Sequence, residues 1–293
     1  MSRYYRQNAM SRHWPEYLIE AGGLGAFMVS ACLFGTLLFH PASPVTQAIV
    51  SPDLRRVLMG GAMALTNISL IYSPWGRQSG AHLNPAVTLT FYRLGKVAPP
   101  DLAGYVIAQF VGGCLGVAVA AALLGNLIRN PAVDYVVTVP GMAGTWIAFL
   151  AETVISFVLM SVVLFVSNRP RWMRYTGLCA ALLVALYISV EAPLSGMSMN
   201  PARTFGSALA AHRWTDLWIY FTAPPLGMLS AAALYQRLYG MTSVFCAKLV
   251  HDSARRCIFC AYHQTPEKEE AYRDKCTSLD CSTGVNSRDN AEG

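Results

Sequence analysis

The sequence predicts an all-α membrane protein: an inverted repeat of six transmembrane helices plus two re-entrant half-helices. Three observations carry that prediction. AVILMFWYC make up 54% of the 293 residues and charged residues only 13%, where a soluble domain carries about 25% charged. Six stretches are long and apolar enough to cross a hydrocarbon core about 30 Å thick. One phrase ending in Asn-Pro-Ala occurs twice, 116 residues apart, each time before a stretch too short to cross.

The charge is unevenly placed. Residues 1–238 hold 15 of the 22 Lys and Arg and 8 of the 16 Asp and Glu, leaving 7 and 8 for a polar tail of 55 residues. A body this poor in charge and rich in apolar residues excludes disorder and argues against a nucleic-acid surface. It places the chain in lipid.

The predicted spans are 16–39, 54–73, 102–128, 144–167, 174–192 and 214–238. Gly and Ala are abundant in them, as in AGGLGAF at 21–27 and VGGCLGVAVAAALLG at 111–125, which suits membrane helices whose backbones approach at small residues. The first span is too long for a secretory signal, and no Ala-x-Ala cleavage pattern follows it. With a cytoplasmic N-terminus, 13 Lys and Arg flank the spans on the inside and 4 (Arg55, Arg56, Arg129 and Arg213) on the outside. The positive-inside bias therefore predicts that both termini are cytoplasmic.

Two semi-apolar stretches, Ala86–Leu94 and Ala202–Ala211, are too short to span. They follow Ser79-Gly-Ala-His-Leu-Asn84-Pro85-Ala86 and Ser195-Gly-Met-Ser-Met-Asn200-Pro201-Ala202. Three spans per half is an odd number, so the second half enters the membrane upside down. Broken helices at matching places in inverted halves point to a midplane site. Pro85 and Pro201 suit the first helical position, where a missing N–H costs nothing, and Asn84 and Asn200 suit the N-cap. Their amide NH₂ groups are then left to donate toward the bilayer centre, where two positive helix-dipole ends meet. The carbonyls of Gly80, Ala81 and His82, and of Gly196, Met197 and Ser198, would form a ladder of acceptors along the approach. Donors in the middle and acceptors along the way describe a conduit for small neutral molecules.

Over residues 16–240, SGAHLNPAVT and SGMSMNPAR make the chain resemble the aquaporins of the major intrinsic protein family, in a water-type branch with an atypical selectivity filter. The resemblance implies a channel domain over 16–240 (halves 16–128 and 144–240), between an N-terminal segment 1–15 and a Cys-containing tail 241–293. It implies homotetramers, each protomer with its own pore. It also implies passive conduction of water, and of other small uncharged solutes, with exclusion of protons and ions. No enzyme activity, cofactor or nucleic-acid partner follows.

By the same resemblance Arg203 stands at the narrowest point near the outer mouth. The other filter positions fall on Ile188, where water-selective members usually have His, on Met197, and on Met63 or Ala64, the Ser73-Pro74-Trp75-Gly76 turn leaving the register open by one residue. Glycerol-conducting relatives usually place Asp after the arginine, and here it is Thr204, which favours the water-type branch. Glu20 and Glu152, costly alone in apolar spans, are expected to brace the re-entrant loops by accepting from their backbone N–H groups. Glycerol or another neutral solute is the alternative cargo. An ion channel or secondary transporter is the alternative class, against which Arg203 between two dipole ends argues.

The tail holds Cys257, Cys260, Cys276 and Cys281, with His251 and His263 nearby and Cys246 just past the last span. In a cytoplasmic tail disulfides do not persist. Cys257, Cys260, His263, Cys276 and Cys281 contain enough ligands for a tetrahedral zinc site. A plain flexible tail and a lipid-modified one are the other readings, and the last dozen residues look disordered in composition.

Overall fold

The computed structural model describes residues 3–240, 243–251 and 257–260. Among them the α-helices are α1 (Arg3–Phe39), α2 (Pro44–Ala48), α3 (Pro52–Tyr72), α4 (Pro74–Ser79), α5 (Pro85–Arg93), α6 (Pro99–Leu124), α7 (Thr145–Ser167), α8 (Thr176–Val190), α9 (Ala192–Ser195), α10 (Pro201–Ala211) and α11 (Leu217–Tyr239). The described residues contain no strand.

Local chemistry sets several of these starts. Ser51 and Ser73 accept from Leu54 N and Gly76 N, each followed by Pro at the first helical position, so a side chain satisfies an otherwise unpaired N–H. Asn84 and Asn200 open α5 and α10 in the same way. α1 extends ahead of the expected span start at residue 16, running from Arg3 through Pro15. Tertiary contacts hold its polar end. His13 Nδ1 lies 2.8 Å from Asp101 Oδ1, and Gln78 Nε2 donates to Glu16 Oε1 at 3.3 Å.

α1, α3, α6, α7, α8 and α11 take the places of the six expected spans. Five of them are long and apolar enough to cross a membrane by length and composition. α3 has 21 residues, about 31 Å of helix, but carries Asp53, Arg55 and Arg56 in its first turns. The outward faces are apolar: Leu65 and Leu123 are 67% and 68% exposed, and Leu150, Leu182 and Leu226 also stand on the outside. An apolar belt of this extent needs lipid around it.

Packing repeats between the halves. α1 lies against α6 and α3, and α7 lies against α11 and α8; α3 meets α8 across the middle. The half-helices exchange partners, α5 packing on α11 and α10 on α6. The helix crossings also correspond. A Cβ added to Gly112 would stand 2.1 Å from Ala21 O, and one added to Gly227 would stand 2.2 Å from Thr153 O. Ala21 and Thr153 each follow the buried Glu of their half, so these crossings place both carboxylates beside the re-entrant loops.

Candidate functional site

The centre of the molecule is a cavity of about 530 Å³, lined among others by Asn84, Asn200 and Arg203. Residues 80–83 and 196–199 approach it in matching conformations. Gly80 and Gly196 have φ of 98° and 79°, Ala81 and Met197 of 54° and 52°, and Leu83 and Met199 of 47° and 54°. Positive φ at four non-glycine residues costs roughly 1–3 kcal/mol each and persists only where surroundings enforce it.

Two carboxylates enforce it. Glu20 is fully buried; its Oε1 accepts from Ser79 Oγ (2.7 Å) and His82 N (3.1 Å), and its Oε2 from Leu83 N (2.6 Å) and Gln109 Nε2 (2.8 Å). Glu152, equally buried, accepts from Ser195 Oγ, Ser198 N and Met199 N, all at 2.7 Å. Every partner of both groups is a donor, so both act as acceptors at each oxygen. Tyr105 OH and Tyr220 OH complete the frame by donating to Ser79 O and Ser195 O.

At the meeting point, Asn84 Oδ1 caps Ala86 N at 2.8 Å, and Asn200 Oδ1 caps Ala202 N and Arg203 N at 3.1 and 3.2 Å. The amide groups are not wholly free, as the sequence reading has them. Asn84 Nδ2 donates to Met199 O and Asn200 Nδ2 donates to Leu83 O, both at 2.7 Å. Each half thus holds the other half's loop, and each amide keeps one further N–H. Pro85, Ala86, Pro201 and Ala202 are buried in the first turns of α5 and α10.

Ala81, His82, Gly196, Met197 and Ser198 line the cavity, joined by Leu83 and Met199, but Gly80 does not. Gly80 O instead accepts from Leu249 N of the tail at 3.2 Å. His82 is held on both ring nitrogens, with Nδ1 3.1 Å from Thr88 Oγ1 and Nε2 2.7 Å from Ala247 O, and its ring stacks between Phe91 and Phe259.

At the other end Met63, Ile188, Met197 and Arg203 share the cavity wall, whereas Ala64 is buried away from it. Arg203 Nη1 is buried with no hydrogen-bond partner among the described residues. Thr204 is fully buried and spends its hydroxyl on Ser198 Oγ and on Thr138 Oγ1 (2.8 Å). It ties the second loop to the segment before α7 rather than facing a solute.

Gln109, Tyr105, Tyr220 and Thr138 were missed by the sequence reading. A signal existed for the tyrosines, which stand 115 residues apart, as do Gly112 and Gly227, close to the 116 of the motif. Cys257 and Cys260 come together with Cys246 and His251; His263, Cys276 and Cys281 lie outside the described residues.

A family model described as major intrinsic protein matches residues 20–235. The chain is similar to a probable aquaporin NIP-type of Nicotiana alata, at 38% identity over 55% of this chain and 58% of that one. Aquaporin NIP2-1 of Oryza sativa subsp. japonica is 32% identical over 79% of this chain and 74% of its own. Aquaporin NIP3-1 of Zea mays is 36% identical over 73% and 68%. Among solved structures, the aquaglyceroporin from Plasmodium falciparum superposes with a TM-score of 0.61 over 76% of this chain and 96% of that one; at 19% identity the likeness is one of fold.

Proposed function

This chain belongs to the major intrinsic protein family, whose members are channels for small solutes, and we propose that its own pore conducts water. The observation that carries the proposal is the reciprocal pair Asn84 to Met199 O and Asn200 to Leu83 O. It leaves one N–H of each amide for a passing oxygen at the point where α5 and α10 meet. Two helix N-termini there contribute about half a positive charge each, which repels cations while leaving neutral molecules unopposed. Arg203, with an unpaired N–H in the wall, adds a full charge at the constriction, the arrangement by which aquaporin-type pores exclude protons and cations.

Two assignments complete the reading. Asn84, Asn200 and the carbonyls of Ala81–Leu83 and Gly196–Met199 form the conducting path, and Met63, Ile188, Met197 and Arg203 form the filter. The protein assembles as a homotetramer in a cell membrane with both termini in the cytoplasm, the orientation supported by the Lys and Arg bias.

A second cargo is favoured by one feature. The filter wall other than Arg203 is apolar, two methionines and an isoleucine, and an apolar wall suits a solute with a carbon skeleton, such as a small polyol. Stopped-flow measurements on proteoliposomes with water and glycerol test both readings. A water pore gives shrinkage well above that of empty liposomes. Ile188→His, which adds a polar wall, should lower the glycerol rate relative to the water rate. An unchanged ratio in that variant would mean the filter is assigned wrongly.

A further inference from the structure

Four side chains that the pore does not use converge beneath it. Cys246, His251, Cys257 and Cys260 each offer one ligand atom, and all four atoms lie within 4.8 Å of one another. Cys246 Sγ is 3.5 Å from Cys257 Sγ, and His251 Nε2 is 3.3 Å from Cys260 Sγ. A tetrahedral zinc ion, with Zn–S of about 2.3 Å and Zn–N of about 2.0 Å, holds its ligand atoms about 3.5–3.8 Å apart. Three thiols and one imidazole, without a carboxylate, select zinc over magnesium or calcium, which take oxygen.

The surroundings suit an ion of that kind. Lys248 N donates to Cys246 Sγ at 3.5 Å, an outer contact of the sort that orients a metal thiolate. Three thiolates around Zn²⁺ leave one net negative charge. Lys248 itself is 1% exposed, hydrogen-bonds Arg77 O through Nζ at 2.9 Å and has no carboxylate ion pair among the described residues. A buried ammonium of this sort calls for a negative partner nearby. The described residues around the cluster form no helix or strand, and Val244, Ala247, Leu249, Ile258 and Phe259 are buried in the main core, so the four ligand atoms are held in place by packing.

The cluster also has a defined address. Ala247 O accepts from His82 Nε2, Leu249 N donates to Gly80 O, and the Phe259 ring stacks on His82 with centroids 5.4 Å apart. Leu249 itself lines the central cavity.

We propose that Cys246, His251, Cys257 and Cys260 bind one Zn²⁺ per protomer, and that this ion holds residues 243–251 and 257–260 as a cap on the end of the pore beside His82. Binding displaces the thiol protons to solvent and changes no oxidation state. The zinc half stands independently; the capping half rests on the channel reading.

The test uses the full-length protein in detergent and in proteoliposomes. Elemental analysis should find one zinc per protomer, and cobalt exchanged into the site should give tetrahedral thiolate absorption. Cys257→Ser combined with Cys260→Ser should cut bound zinc to about a tenth or less. Cys114→Ser with Cys179→Ser, in α6 and α8, should keep it. Three results overturn the site: no zinc after dialysis against zinc chloride, equal zinc in the tail variant, or two missing thiols without metal, which would mean a disulfide. Zinc-loaded wild type should pass water severalfold more slowly than the tail variant, and equal rates would overturn the cap. Protein that binds zinc but conducts in neither form counts against the channel, not the site.

Discussion

Glu152→Gln offers a test of the loop brace that can be worked out bond by bond. The carboxylate accepts from Ser195 Oγ and Ser198 N at Oε1 and from Met199 N at Oε2. A glutamine has one acceptor oxygen. Left where Oε1 lies, it keeps the first two bonds but turns an NH₂ toward Met199 N. The cost is one hydrogen bond to a charged group, about 1.5–3 kcal/mol, within which the buried unpaired N–H that remains accounts for about 1–3 kcal/mol. About 2–3 kcal/mol is the expected loss, or roughly 4–12 °C in Tm at about 2–4 °C per kcal/mol. Function should suffer beyond stability, because Met199 O holds the Asn84 amide. A shifted Met199 releases Asn84, so water permeability should fall even at temperatures where the variant is folded. Thermal unfolding followed by size-exclusion chromatography, together with stopped-flow shrinkage, reads both effects. A variant with unchanged Tm and permeability would refute the assignment of Glu152 as the support of this loop.

Arg203→Ala removes the full charge from the filter. A cation passing about 4 Å from it is opposed by about 4 kcal/mol at an effective dielectric of about 20, so proton or sodium current in voltage-clamped bilayers should rise by about tenfold or more. Gly227→Leu forces a side chain against Thr153 O, where even a Cβ would stand 2.2 Å away, and should yield no folded protein. Gly61→Ala, with nothing within 4 Å of the added Cβ, should express normally. Glu191, just past the apolar helix that ends at Val190 rather than at the expected 192, has neither carboxylate oxygen hydrogen-bonded among the described residues, and burial pushes its carboxyl from 4.5 up to about 7. The unfolded chain then loses its proton first as pH rises, so stability should fall by about 3 kcal/mol between the two values and stay level above them. Glu191→Gln should flatten that part of a Tm-against-pH curve, and an unaltered slope would assign it to another group.

What could be read from the sequence divides along physical lines. Spans, half-helices and the paired Asn-Pro-Ala starts depend on local chemistry, on apolar run length, N-caps and Pro at the first helical position. The family and its fold follow from them. α3 was readable only by its length and place in the repeat, since its first turns carry three charges. The buried Glu20 and Glu152 stood out because a lone carboxylate in an apolar span is costly. Contacts across the repeat were not legible. That Asn84 holds Met199 O, or that Thr204 ties Ser198 to Thr138, depends on how the two halves dock. The contact at Gly80 O and the approach of Cys246 and His251 to Cys257 and Cys260 escaped for the same reason: the described residues 243–251 and 257–260 pack against the first re-entrant loop, and spacing in the chain does not reveal it.

The central claim is that the two inverted half-helices enclose a conducting path through the protomer. Osmotic shrinkage of proteoliposomes, with the protein first stripped of metal by chelator, tests it most directly. The account predicts water flow well above that of empty liposomes, sharply reduced when Asn84 and Asn200 are both changed to Ala. Shrinkage no faster than that of empty liposomes would contradict it.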